Sequence, residues 1–102
     1  MGTPVVSGIQ VSGGTAANVY KNKIYNLSQT SAFTNNGGVN GVLLSGGTTV
    51  TVYNNIIGLL NAPAANSEDA IRGISITSRT PATNYKLYYN TVYLNVTSTA
   101  DL

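Results

Sequence analysis

Hydrophobic and polar residues alternate in short runs along most of this chain. The run that begins at Gly41 places Val42 and Leu44 on one side, and the next run does the same with Val50 and Val52. A period of two residues is typical of β-strands that bury one face. No window shows the three- and four-residue apolar spacing of an amphipathic helix. The pattern therefore predicts an all-β protein.

The same pattern of runs occurs three times. Gly8, Gly41 and Gly73 open the three units and are spaced 33 and 32 residues apart. A tyrosine and an asparagine recur within each unit with spacings of 33 and 35 residues; they are Tyr20, Tyr53 and Tyr88, and Asn22, Asn55 and Asn90. Internal periods of 20–50 residues indicate solenoids, propellers or repeat arrays. We divide the chain into units 8–40, 41–72 and 73–102.

Each unit contains enough strand pattern to form one closed coil. A third short strand follows each asparagine and directs Ile24, Ile57 and Val92 inward. Three strands per unit can close a triangular coil, and coils stacked about 4.8 Å apart share three parallel sheets. We therefore predict a single domain over residues 1–102 built of about three coils. The longer connections 28–40 and 61–72 occupy equivalent places and are expected at the same corner.

The repeated motif also carries a family resemblance. In one-letter code it reads G-(I/V)-x-(I/V/L)-x-G-G-T followed by V-Y-x-N-x-I, and it spans about residues 8–95. It resembles the repeats of right-handed parallel β-helix proteins, the pectate-lyase-like superfamily in the broad sense. It looks most like repeats in secreted bacterial surface proteins. The resemblance implies a right-handed β-solenoid fold and is unspecific for activity.

Two columns of equivalent residues are the candidate sites. Asn22, Asn55 and Asn90 fall at the turn between the second and third strands, where we expect each to adopt the left-handed α conformation. Their amides would then form a structural hydrogen-bonded ladder, the alternative being a polar binding strip. Tyr20, Tyr53 and Tyr88 are expected to point outward in a column. These rings could stack on one another and stiffen the sheet, or they could bind carbohydrate. Tyr25 and Tyr93 share a second position, where unit two has Gly58.

Composition narrows the possible functions. Five Lys and Arg against three Asp and Glu give a net charge of +2, too small to predict binding to nucleic acid. The absence of Cys and His excludes disulfides and thiolate or imidazole metal sites. No apolar run approaches the roughly 20 residues of a membrane span. We expect an extracellular or cell-surface location, with the export signal outside this chain.

The acidic residues do not suggest an active site. They are Glu68, Asp69 and Asp101, two of them neighbours in a connection and the third near the C-terminus. Glycoside hydrolysis needs two converging carboxylates, and calcium needs six to eight oxygen ligands. A lyase of the pectate-lyase type would need several acids beside the first sheet, and units one and two have none there. We therefore predict no enzyme activity, no cofactor and no metal.

The ends of a three-coil solenoid expose apolar cross-sections and unpaired strand edges. We predict that the chain is a structural or interaction segment that forms homo-oligomers through these ends, or that it is excised from a longer solenoid. The first alternative function is a carbohydrate-binding module that uses the tyrosine column. The second is the remnant of a polysaccharide lyase or glycoside hydrolase.

Overall fold

The prediction of an all-β protein is confirmed. The structure is a computed structural model that describes residues 5–32, 34, 37–66, 69–78 and 83–94. Within these residues the ordered elements are strands, and none is a helix. The strands are β1 (Val6–Val11), β2 (Ala16–Tyr20), β3 (Lys23–Ile24), β4 (Leu27–Ser28), β5 (Val39–Leu44), β6 (Thr49–Tyr53), β7 (Ile56–Gly58), β8 (Leu60–Asn61), β9 (Ile71–Ile76), β10 (Asn84–Tyr88) and β11 (Thr91–Tyr93).

The pairings between the strands of the described residues are all parallel, and each joins different repeat units. The three-stranded sheets have the orders β1-β5-β9, β2-β6-β10 and β3-β7-β11. We group the strands into three layers, one for each repeat: β1–β4 form the N-terminal layer, β5–β8 the middle layer and β9–β11 the C-terminal layer, and the first strand of each layer begins two residues before its unit. The register equals the repeat spacing, since Val19 pairs with Val52 and Val52 with Leu87. This arrangement is compatible with a β-solenoid.

A fourth short strand in the first two layers was missed by the sequence analysis. β4 and β8 pair in parallel, with Leu27 opposite Leu60. Both strands lie at the start of the longer connections 28–40 and 61–72. The connections also hydrogen-bond to each other, because the amide N–H of Gln29 donates to the carbonyl of Asn61 at 3.0 Å.

The core is concentrated in the middle layer, whose inward side chains are covered from both sides. Val42, Leu44, Val50, Val52 and Ile57 are fully buried. Val39 and Leu60 extend the same cluster toward the connections. Both the strand alternation and the inward set predicted from the sequence are found here.

The glycine that opens each unit is required by close packing of the third strand. A Cβ at Gly41 would lie 2.5 Å from Ile57 Cγ2 and 2.6 Å from the carbonyl oxygen of Gly73. At Gly8 the added atom would meet Ile24 Cγ2 at 2.7 Å. The repeated Gly therefore allows the first and third strands of a layer to approach each other. Strands β1, β5 and β9 begin two residues before these glycines rather than at them.

Candidate functional site

The three repeated asparagines form one continuous hydrogen-bonded row. Asn22 Nδ2 donates to Asn55 Oδ1 at 3.0 Å, and Asn55 Nδ2 donates to Asn90 Oδ1 at 2.9 Å. Each lies between the second and third strands of its layer. Asn55 is 1% exposed, so its amide can satisfy its hydrogen bonds only within the protein.

The expectation that these asparagines adopt the left-handed conformation is wrong. The residues with positive φ are those just before them: Lys21 at 55°, Asn54 at 54° and Tyr89 at 55°. The chain therefore turns one residue earlier, and the asparagine that follows directs its amide along the stack. Its hydrogen bonds, rather than tolerance of positive φ, give asparagine its role at this position.

The row of asparagines has a direction. The Oδ1 atom of Asn55 accepts from the backbone N–H and the amide of Asn22, and Asn90 Oδ1 accepts from the same two groups of Asn55. The amide of each later asparagine also donates back to a valine carbonyl of the preceding layer, Asn55 to Val19 and Asn90 to Val52. The Oδ1 acceptor of each asparagine therefore faces the N-terminal end of the stack. The backbone N–H and one amide N–H of each asparagine face the C-terminal end.

The tyrosine column lies on the outer face of the β2-β6-β10 sheet. The Tyr20 and Tyr53 rings stack with centroids 5.1 Å apart and planes 3° apart. Tyr53 and Tyr88 stack at 5.1 Å and 8°, and Tyr89 meets Tyr88 edge to face at 5.4 Å. Because both faces of the Tyr53 ring are covered by its neighbours, this ring presents only its edge to solvent. A sugar ring could lie flat only at an end of the column.

The second tyrosine position is interrupted in the middle layer. Tyr93 pairs with Gly58, and Tyr25 and Tyr93 are both at least half exposed. Lys23 Nζ lies 5.2 Å from the centroid of the Tyr25 ring, within cation–π range. The two rings are separated by a layer without a side chain, so they do not form a continuous binding track.

An ion pair orders the corner beside β9. Arg72 Nε donates to both carboxylate oxygens of Asp69 at 3.0 Å, and Nη2 also donates to Oδ2. Arg72 Nη1 donates to Ser75 Oγ at 3.0 Å. These hydrogen bonds hold the pKa of Asp69 below its ordinary value and raise that of Arg72. The other two acidic residues considered above, Glu68 and Asp101, lie outside the described residues.

A buried asparagine at the same corner was missed by the sequence analysis. Asn40, 1% exposed, pairs in register with Ser7 and with Arg72. Its Nδ2 donates to the carbonyl of Gly37 at 2.8 Å, while its Oδ1 and Ser7 Oγ are buried and have no hydrogen-bond partner among the described residues. Gly37 has a φ of 66° and packs against the Arg72 guanidinium. A polar residue directly before each repeat glycine was the signal in the sequence. The alternation of apolar and polar residues does not by itself show that this polar residue is buried.

The C-terminal layer exposes its inward apolar side chains. Leu87 is 39% exposed, Val92 43% and Ile76 50%. Their in-register counterparts in the middle layer, Val52, Ile57 and Leu44, are fully buried. In the N-terminal layer Val19 and Ile24 are 7% and 8% exposed. Among the described residues, the C-terminal layer thus has the larger uncovered apolar face.

The described residues contain neither a candidate metal cluster nor a candidate membrane span. They contain no group of three or more His, Cys, Asp or Glu side chains that could hold a metal ion. No helix in that part of the chain has the length and apolar content to cross a membrane. Comparison of the chain with protein-family models, curated protein sequences and solved structures gave no match.

Proposed function

We propose that this chain is a non-catalytic, right-handed parallel β-helix segment of an extracellular or surface protein, and that it self-associates through the ends of its stacked coils. Each layer then corresponds to one coil. Parallel strands of one sheet are joined here by crossovers through the other sheets, and such crossovers are right-handed in about 98% of cases. Sheet orders with one strand per repeat unit support this interpretation.

The observation that carries the proposal is the uncovered C-terminal layer. Leu87 occupies the position at which Val52 is fully buried, yet more than a third of its side chain is exposed. Burial of apolar surface is favourable by about 25 cal/mol per Å², so a further coil stacked on this layer would be stabilised by the contacts that bury Val52. A second copy of the chain supplies such a coil.

The test is the molar mass in solution, measured by light scattering after size-exclusion chromatography across a tenfold concentration range. We expect the mass to rise with concentration. Leu87→Lys places a charge at the exposed inward position and should abolish the rise, whereas Asn84→Lys, at an outward position of the same strand, should not. A constant monomeric mass of the unmodified chain would overturn the proposal.

Carbohydrate binding by the tyrosine column is the competing function. The face-to-face stacking of Tyr20, Tyr53 and Tyr88 favours a stiffening role, because both faces of the Tyr53 ring are covered and a sugar could lie flat only at an end of the column. Retarded migration in polysaccharide affinity gels that is lost in Tyr20→Ala and Tyr53→Ala would establish the binding module instead. We expect no retardation.

A further inference from the structure

The two ends of the asparagine row carry complementary hydrogen-bonding groups. We infer that copies of this chain join head to tail, with the C-terminal layer of one copy on the N-terminal layer of the next, and so form an open-ended filament. The inference rests on the proposed self-association through coil ends and adds its direction and register.

The N-terminal end of the row presents an unused acceptor. Asn55 Oδ1 and Asn90 Oδ1 each accept two hydrogen bonds from the preceding layer. Asn22 Oδ1 holds the same position but receives no hydrogen bond from the described residues. The Asn22 amide makes one hydrogen bond, to Asn55, whereas the Asn55 amide makes two. Asn22 therefore has one acceptor atom and one N–H available.

The C-terminal end presents the matching donors. The backbone N–H groups of Asn22 and Asn55 donate to the asparagine of the next layer. The corresponding backbone N–H of Asn90, and one N–H of its amide, have no such acceptor within the described part of the chain. The Leu87 carbonyl stands in register with the Val52 carbonyl, which accepts from Asn90 at 2.9 Å, but no described residue donates to the Leu87 carbonyl in the equivalent way.

Head-to-tail stacking joins every one of these groups. Two N–H groups of Asn90 meet Asn22 Oδ1 of the next copy, and the Asn22 amide of that copy meets the Leu87 carbonyl. The same step brings Tyr88 into register with Tyr20 of the next copy, since both pair with Tyr53. A two-fold contact between two C-terminal layers instead brings no Asn22 Oδ1 acceptor to the N–H groups of Asn90. A head-to-tail contact leaves one end of each pair free to bind a further copy. Repeated contacts along the stacking direction therefore produce a filament rather than a dimer.

Cysteine cross-linking tests the direction, since the chain contains no native cysteine. Asn18 and Lys86 are exposed, outward-pointing residues that both pair with Thr51. In the filament, Lys86 of one copy lies beside Asn18 of the next at the parallel-strand separation of about 4.8 Å, within the Cα distance range of a disulfide. The variants are Asn18→Cys and Lys86→Cys, each oxidised alone and as an equimolar mixture.

The matched control moves one cysteine out of register. Asn84 lies on the same strand, two residues before Lys86, so Asn84→Cys would place its Cα about 8 Å from that of Asn18 in the next copy. This separation is too long for a disulfide. We expect a covalent 1:1 dimer from the Asn18→Cys and Lys86→Cys mixture, in at least about tenfold excess over the mixture with Asn84→Cys.

The cross-linking and mass measurements together distinguish head-to-tail stacking from another mode of self-association and from a monomer. The doubly substituted chain should form a series of covalent oligomers. A disulfide dimer from either single variant alone, or no mixed dimer although the mass of the unmodified chain rises with concentration, overturns the head-to-tail arrangement and leaves self-association standing. A mass that stays monomeric overturns both.

Discussion

Removing each asparagine of the row should destabilise the fold to a different extent, although the three residues hold equivalent positions. The Asn55 side chain makes four hydrogen bonds, two through Oδ1 and two through Nδ2. The Asn90 side chain makes three. The Asn22 side chain makes one. The perturbation is therefore substitution of each asparagine in turn by alanine.

The expected free energies follow from these hydrogen bonds. A net contribution of about 1 kcal/mol per intramolecular hydrogen bond predicts losses of about 4 kcal/mol for Asn55→Ala, about 3 kcal/mol for Asn90→Ala and about 1 kcal/mol for Asn22→Ala. The loss at Asn55 is increased further because this residue is 1% exposed and its former partners are left without water.

The assay is urea denaturation followed by far-ultraviolet circular dichroism, with free energies extrapolated linearly. It should be done at the lowest workable protein concentration, so that association does not stabilise Asn22. Asn18→Ala, at an exposed position on β2, is the control and should stay within about 0.5 kcal/mol of the unmodified chain. Equal losses at the three positions, or the largest loss at Asn22, would refute a directional row.

Three further predictions concern packing and charge. Gly41→Ala should destabilise the fold by about 1–3 kcal/mol in the same assay, because the added Cβ would lie 2.6 Å from a backbone oxygen; Gly13→Ala, with nothing within 4 Å, should be nearly neutral. Leu44→Ala should cost about 2–5 kcal/mol, and Ile76→Ala, at the half-exposed equivalent position, about 1 kcal/mol; equal costs would contradict the uncovered layer. Because Arg72 lowers the pKa of Asp69, the ion pair stabilises the fold above the ordinary carboxyl pKa of about 3.9. That stabilisation disappears as the pH falls through the lowered value. For this partly exposed pair, Asp69→Asn should cost at most about 1 kcal/mol at pH 7, and urea denaturation across pH should show the difference closing in acid.

Much of the fold could be predicted from the sequence because the repeats carry their own register. The 33-residue spacing of Gly8 and Gly41 is the spacing at which β1 and β5 pair, since identical side chains at equivalent positions pack best in adjacent layers. The alternation of Val50 and Val52 with polar residues identified the buried face directly. The outward position of Tyr20 and Tyr53 followed from the same period of two.

The turn that precedes the asparagine row, and the corner that holds the Asp69–Arg72 ion pair, could not be predicted in this way. Positive φ at Lys21 and Tyr89 has no signature in their residue types, because neither is a preferred left-handed residue. The contact of Arg72 with Gly37 joins residues of different units through two connections, and local alternation carries no information about it. The short strand β4 depends on its partner β8 rather than on a pattern of its own.

Nuclear Overhauser contacts between methyl groups test the central claim, that each repeat unit forms one layer stacked in parallel register on the next. The account predicts contacts of Val52 with both Val19 and Leu87, which lie 33 and 35 residues away. It also predicts no such contact between Val19 and Leu87 at concentrations where the chain is monomeric. Contacts that pair β1 with β2, or β5 with β6, as antiparallel hairpins would contradict it.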